Sequence, residues 1–367
     1  MDKFLKVNLD SSRRLVMISD IHGEKELLIK LLNKVKFSDN DYLFLLGDFV
    51  GKGKDSLNTL RYIMDLSKKD NVFLIVGNCD LFFNSFANEQ ESIHPEAKNI
   101  AKVLKYYHAL FEEMLWEIGI NVEKISDFNT IIEPLYKNFG EELTFLRTLP
   151  RVIETEEFIF VHSAISGENY QNDSDYSLLR TNNFSNIAST RFKKYVVVGH
   201  YPTINYCEKI PKLNPLFNYQ KNIISIDGGL NTVEYGQLNA LVYDKKQFSN
   251  YYVDKLDIYQ VKKDYFPYNE KVITINYMNN KVDIIEEKDE FYKCYHPYSQ
   301  TFIDIDKDYI YKRNDSFYSL DTTNYHLEVI KGDFVHLIRQ YENYSLVKKS
   351  GIIGYIKNEC LGSKINN

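Results

Sequence analysis

The chain has 367 residues, 44% of them apolar, with a formal net charge of -6. That is enough chain for two domains and too apolar for a disordered one. The acidic balance, with no strongly basic block, argues against nucleic acid as the main partner, because phosphate backbones call for clustered Lys and Arg. Residues 1–14 contain no apolar core of signal-peptide length. No run approaches the roughly 20 apolar residues of a membrane span. The four cysteines, Cys79, Cys207, Cys294 and Cys360, are scattered without a CxxC pair. This reads as a reduced, cytoplasmic protein that does not span a membrane.

In chain order, residues 15–19 form a short apolar run that reads as a buried strand. Leu27, Leu28, Leu31, Leu32 and Val35 then lie on one face of a helix. A second buried strand is expected over 42–46, a second helix around Leu57, Leu60, Ile63 and Met64, and a third strand over 72–76. Strands that are apolar throughout, alternating with helices, imply a parallel sheet covered on both faces. Residues 81–149 read as a helical insertion, with Ile100, Val103, Leu104, Tyr107, Phe111, Met114, Leu115 and Ile118 at helical spacing. Strands are expected again over 158–161, 195–198 and 223–226. Two more, over 241–243 and 251–253, read as a separate antiparallel sheet. Beyond about 255 the helical period gives way to short β-branched and aromatic runs.

Each buried strand is followed by groups that bind metals. Asp20-Ile21-His22-Gly23 follows the first and Gly47-Asp48 the second, with Gly51, Lys52 and Gly53 just beyond. Gly77-Asn78-Cys79-Asp80 follows the third, His162 the strand at 158–161, and Gly199-His200 the strand at 195–198. Any one of these is ordinary turn or cap chemistry. Five in order form a constellation, delivered to the carboxyl edge of one sheet, where α/β folds bind ligands. Two divalent cations about 3.5–4 Å apart need a bridging carboxylate with N and O donors on either side. Such a pair activates a water and clamps a phosphoryl group during in-line attack.

These motifs resemble the calcineurin-like metallophosphoesterases, in particular the bacterial phosphoprotein-phosphatase-like branch. That branch includes lambda-type serine/threonine phosphatases and symmetrical diadenosine-tetraphosphate hydrolases. The likeness covers roughly 14–245 and takes in the stretches 145–150, 177–180, 226–229 and 236–241. It implies a four-layer α/β/β/α sandwich with a helical cap over residues 1–255. It also implies two divalent metals, manganese first, with iron, zinc or cobalt accepted. Asp20, His22 and Asp48 would hold one metal. Asp48 would bridge to the second, which Asn78, His162 and His200 complete, and a metal-bridging hydroxide would attack phosphorus. Arg180 matches an arginine that grips phosphate, and bidentate geometry suits that task. Lys52 stands for another substrate-binding arginine and keeps the charge without the fork. Asp227 matches a residue behind the ligands. The implied substrates are phosphorylated proteins or small phosphoesters.

Two departures qualify this. The histidine that protonates the leaving group in protein phosphatases is Cys79 here, and its supporting aspartate is Gly51. Such acid help is worth about 10²–10⁴-fold. Its loss opens a nucleotidase, dinucleoside-polyphosphate hydrolase or phosphodiesterase reading, and beyond those a catalytically weakened metal-binding module. Farther on, strand-like runs at 331–338, 344–349 and 351–356 resemble a bacterial Src-homology-3-like barrel. It is expected over 316–367, after a β-rich connector at 256–315, with a protein or peptide ligand.

Overall fold

The computed structural model describes residues 3–81, 109–125 and 129–365. The chain divides into two compact units, Met1–Pro202 with Pro215–Val253, and Thr203–Asn214 with Asp254–Asn367. In the first unit the elements are β1 (Phe4–Lys6), β2 (Leu15–Ile18), α1 (Lys25–Lys34), β3 (Tyr42–Leu46), α2 (Ser56–Leu66), β4 (Val72–Ile75), α3 (Ala109–Glu117), α4 (Asn129–Thr148), β5 (Val152–Glu154), β6 (Phe158–Val161), α5 (Asp175–Arg180), α6 (Phe184–Ile187), β7 (Tyr195–Val198), β8 (Leu216–Asn218), β9 (Ile223–Ser225), β10 (Leu238–Asp244) and β11 (Gln247–Val253).

They build two sheets, ordered β11-β10-β2-β3-β4 and β1-β5-β6-β7-β9-β8. The sequence reading of one parallel sheet with a separate antiparallel sheet is corrected here. β2, β3 and β4 are parallel, and β10 and β11 join them as antiparallel neighbours. The strands carrying His162 and His200 belong to the other sheet, where β6, β7 and β9 are parallel. Side chains alternate between strand faces, so each all-apolar strand feeds two cores. Met17, Phe44, Phe160, Val197 and Leu241 meet in the core between the sheets. Val16, Ile18, Leu43 and Leu45 face the opposite way, against Leu28 and Leu31 of α1 and Leu60 of α2. Ile159, Val161, Val196 and Val198 pack with Leu178, Leu179 and Phe184. The result is the α/β/β/α sandwich.

Within the expected helical insertion, Ile100, Val103, Leu104 and Tyr107 lie outside the described residues. Leu110, Phe111, Met114 and Leu115 of α3 pack in the core beside α2. Glu113 Oε1 and Oε2 accept the Ser56 and Leu57 N–H groups at 2.9 and 2.7 Å. A carboxylate from α3 therefore caps the first turn of α2, whose own N-cap Asp55 makes no side-chain capping bond and instead accepts from Asn58 Nδ2 at 2.7 Å. No described helix is long and apolar enough to cross a membrane.

The second unit is built from β12 (Asp257–Val261), β13 (Thr274–Ile275), β14 (Lys281–Glu287), β15 (Phe291–His296), β16 (Thr301–Asp306), β17 (Ile310–Arg313), β18 (Ser316–Ser319), β19 (Thr322–Thr323), β20 (Phe334–Gln340), β21 (Tyr344–Lys349), β22 (Ile352–Lys357) and β23 (Leu361–Lys364). Two five-stranded sheets run β22-β21-β20-β12-β23 and β16-β15-β14-β18-β17. Each contains three hairpin-connected strands, a 3-10 turn and a fourth strand. The turns are Lys307–Tyr309 before β17 and Asn358–Cys360 before β23. β12, from the stretch read as a connector, sits between β20 and β23. β18, from the stretch read as barrel, pairs with β14 and β17.

Candidate metal centre

The loops after β2, β3, β4, β6 and β7 converge where the two sheets' carboxyl ends meet. Backbone hydrogen bonds lock them together. Asp20 N–H donates to Gly47 O at 3.1 Å, His22 N–H to Asp48 O at 2.9 Å, and Gly199 N–H to His162 O at 2.9 Å. Close approach requires glycine at two of the crossings. A Cβ on Gly77 would collide with the Asp48 backbone and carboxylate, and one on Gly199 with Ser19 and the Asp20 carboxylate. Asp20, His22, Asp48 and His200 all hold positive φ, at 56°, 49°, 51° and 66°. For residues with a Cβ this costs roughly 1–3 kcal/mol each, and such strain collects at functional sites.

Asp48 is central and 2% exposed. Its Oδ1 lies 3.4 Å from His162 Nε2, and its Oδ2 lies 3.9 Å from His22 Nε2. Asp20 Oδ1 lies 3.8 Å from the same His22 nitrogen. Its other oxygen accepts from the Ser19 hydroxyl and, at 3.0 Å, from His200 N–H. The outward nitrogens are committed to carbonyls: His162 Nδ1 to Leu46 O at 2.8 Å and His22 Nδ1 to Val50 O at 3.4 Å. That sets both tautomers and turns bare Nε2 lone pairs toward Asp48.

Asn78 completes the other half. Its Oδ1 stands 3.1 Å from His162 Nε2. The same amide position is 2.7 Å from His200 Nδ1 and 3.2 Å from Leu179 O, so only a turned amide could donate there. Oxygen and nitrogen lone pairs thus point at one another around a common point. A divalent cation relieves that conflict with the amide oxygen inward, and the N/O donor set suits one. Ligand atoms of Asp48, His162 and His200 lie within 4.8 Å of one another, as do those of His22, Asp48 and Cys79.

Electrostatics point the same way. Burial, and then the neighbouring Asp48, push the Asp20 carboxyl up. Burial pushes Asp48 up too, yet His162, His22, Lys52 and His200 together hold it below the usual carboxylate range. Burial lowers His22 and His200 to about 3, so both imidazoles are neutral near pH 7 and free to coordinate.

The supporting shell contains residues that motif reading passed over. Buried Asp80 accepts Phe49 N–H at 2.9 Å and Gly77 N–H at 2.8 Å, tying the Asp48 and Asn78 loops together. Its place in Gly77-Asn78-Cys79-Asp80 was the available signal. Asp227 is buried and accepts Gly229 N–H at 2.7 Å, its carboxyl pushed well up by burial and Asp20. Lys52 is exposed, but its ammonium lies 3.2 Å from His22 Nε2 and donates to Thr232 Oγ1 at 2.9 Å. No pattern in the sequence singles out Thr232. Arg180 is the exposed last residue of α5, and its charge helps depress His200.

The calcineurin-like phosphoesterase family profile matches residues 13–219, more than half of the chain. The symmetrical bis(5'-nucleosyl)-tetraphosphatase of Escherichia coli O139:H28 is 47% identical over 66 residues, 18% of this chain and 23% of that relative. The matched segment thus spans less than a quarter of the curated relative. A protein serine/threonine phosphatase from Saccharomyces cerevisiae superposes with TM-score 0.44 and 13% identity, over 70% of this chain and 84% of that one. A metallophosphoesterase from Sphaerobacter thermophilus does so with TM-score 0.37 and 13% identity, over 66% and 89%. With a profile match that runs from just before β2 to just past β8, the chain belongs to the calcineurin-like phosphoesterase family.

Proposed function

We propose that Asp20, His22, Asp48, Asn78, His162 and His200 hold two metals, with Asp48 between them. We further propose that the enzyme prefers phosphoryl groups whose leaving group departs without protonation. The two metals, when bound, supply an activated water and neutralise phosphoryl oxygens. Arg180, exposed at the end of α5 with its charge felt at His200, binds the phosphoryl oxygens and orients phosphorus for in-line attack. Asp80 and the Leu46 and Val50 carbonyls keep the ligands aimed, so little reorganisation is left for the reaction.

The observation that carries the substrate preference is the side chain beside Asp48 after Asn78. It is a thiol, Cys79, whose N–H donates to Asp48 Oδ1 at 2.8 Å. Burial and Asp48 push this thiol well above its ordinary pKa, so it is a poor proton donor to an alkoxide. A phosphoanhydride or aryl phosphate needs no such donor. The shared segment with a dinucleoside tetraphosphatase supports the same preference. The phosphoprotein reading suggested by the motifs becomes the second choice. With purified, metal-supplemented enzyme, kcat/KM for diadenosine tetraphosphate should exceed that for a phosphoserine peptide by about 10² or more. A clear preference for the peptide would overturn this.

For the second unit, the sheet β22-β21-β20-β12-β23 with its 3-10 turn before β23 supports an Src-homology-3-like barrel. In this reading the barrel draws its first strand from Asp257–Val261. Its expected ligand remains a protein or peptide.

A further inference from the structure

The Asp20 half of the cage contains a donor that the N/O ligand set does not include. Sγ of Cys79 lies within 4.8 Å of ligand atoms of both His22 and Asp48. The residue is anchored there, because its N–H is bonded to Asp48 Oδ1 at 2.8 Å and its neighbour is Asn78. It is a free cysteine. The other half has two imidazoles, an amide and the shared carboxylate, all hard or intermediate donors. The Asp20 half has one imidazole and two carboxylates, and so is short of a fourth donor.

We propose that Cys79 Sγ is that fourth donor, so that the Asp20–His22–Asp48 half selects a thiophilic ion, zinc or iron(II), over manganese. This rests on the metal cage proposed above. One thiolate, one imidazole and two carboxylates form a four-coordinate set of the kind zinc takes. Donors around a tetrahedral zinc, at about 2.0–2.3 Å from it, stand roughly 3.3–3.8 Å apart. Donor atoms of His22, Asp48 and Cys79 lie within 4.8 Å of one another, and Asp20 Oδ1 lies 3.8 Å from His22 Nε2, so the four donors have to draw inward around the ion. On coordination the thiol proton leaves to solvent and the sulfur lone pair forms the bond, so no oxidant or co-reactant is required. The Lys52 ammonium, beside His22, offsets part of the added negative charge. The position that carries a leaving-group acid in protein phosphatases would then serve metal selection instead.

Cobalt(II) titration of the metal-free full-length protein tests this. The expected result is visible d–d bands from the cage together with a near-ultraviolet sulfur-to-cobalt charge-transfer band. In Cys79→Ser the charge-transfer band should vanish while the d–d bands persist, which also shows that the variant's cage is assembled. After equilibration with equal zinc and manganese, metal analysis should find the variant's zinc-to-manganese ratio lowered by about ten- to a hundredfold. Wild-type d–d bands without charge transfer, or an unchanged ratio in the variant, would overturn the proposal and leave the cage standing. Absence of d–d bands in the wild type would overturn the cage itself.

Discussion

Both units bury an aspartate against histidine, and they neutralise it in opposite ways. In the second unit, Asp254 Oδ2 sits 2.7 Å from Nζ of fully buried Lys348, and Oδ1 sits 2.8 Å from His336 Nδ1. Leu256 N–H donates to the same Oδ1 at 3.0 Å. The chain supplies its own countercharge there. Burial pushes Asp254 up, but His336 and Lys348 outweigh it and hold the carboxyl at about 2. In the first unit, His22 and His200 beside Asp48 are neutral near pH 7 and present lone pairs rather than protons. Asp20 adds a second carboxyl. A buried carboxylate answered by an ammonium is a structural device. One ringed by other lone pairs, with the Lys52 ammonium reaching only His22 at its edge, is suited to a cation that the chain does not encode.

The largest break in this comparison should come at Asp48. Asp48→Asn removes the shared carboxylate, and metal-dependent p-nitrophenyl phosphate hydrolysis should fall by at least about 10³-fold, the scale of several kcal/mol. Wild-type turnover in that variant would make Asp48 another structural charge. In the second unit, Lys348→Met strands Asp254 and should cost about 3–5 kcal/mol in urea unfolding. Pairing it with Asp254→Leu should recover much of that loss. A single variant as stable as wild type would show that the ammonium is dispensable.

Arg180→Ala should lower kcat/KM by roughly 10- to 150-fold, the worth of a charge-assisted hydrogen bond of about 1.5–3 kcal/mol. Because Arg180 is exposed, thermal stability should be unchanged, and a lowered Tm would mark it as structural. The smallest effect is a pH slope. The Asp254 pKa falls on folding from 3.8 to about 2. Its contribution, about 2 kcal/mol, is therefore complete above about pH 5 and is lost as pH falls through 4 toward 2. Unfolding free energies measured between pH 6 and 2.5 should show this slope in wild type, and a flatter one in Asp254→Asn.

Much of the site could be read from the sequence because its donors follow apolar strands directly. Residues 15–18, 42–46 and 72–75 have no other plausible fate than buried strands, and the turn after each must carry whatever the chain places there. Sheet membership was not legible. β10 and β11 looked like a separate sheet because 241–243 and 251–253 are short apolar runs that name no partner. Nothing local records that Ala240 pairs with Ile18 and Leu241 with Met17. The same holds for β12, whose partners β20 and β23 lie far along the chain. Glu113 as the cap of α2 was equally hidden, since 57 residues separate it from Ser56.

By itself, then, the sequence determined the donor types, their order along the chain and the replacement of a histidine by Cys79. Residue identity and strand period are local properties. Tertiary structure alone decided that His162 and His200 arrive from a second sheet, that Leu46 and Val50 carbonyls choose the histidine tautomers, and that Cys79 Sγ falls beside His22 and Asp48. Those outcomes depend on two apolar faces closing on Phe44 and Phe160, a long-range packing event that no stretch of sequence contains.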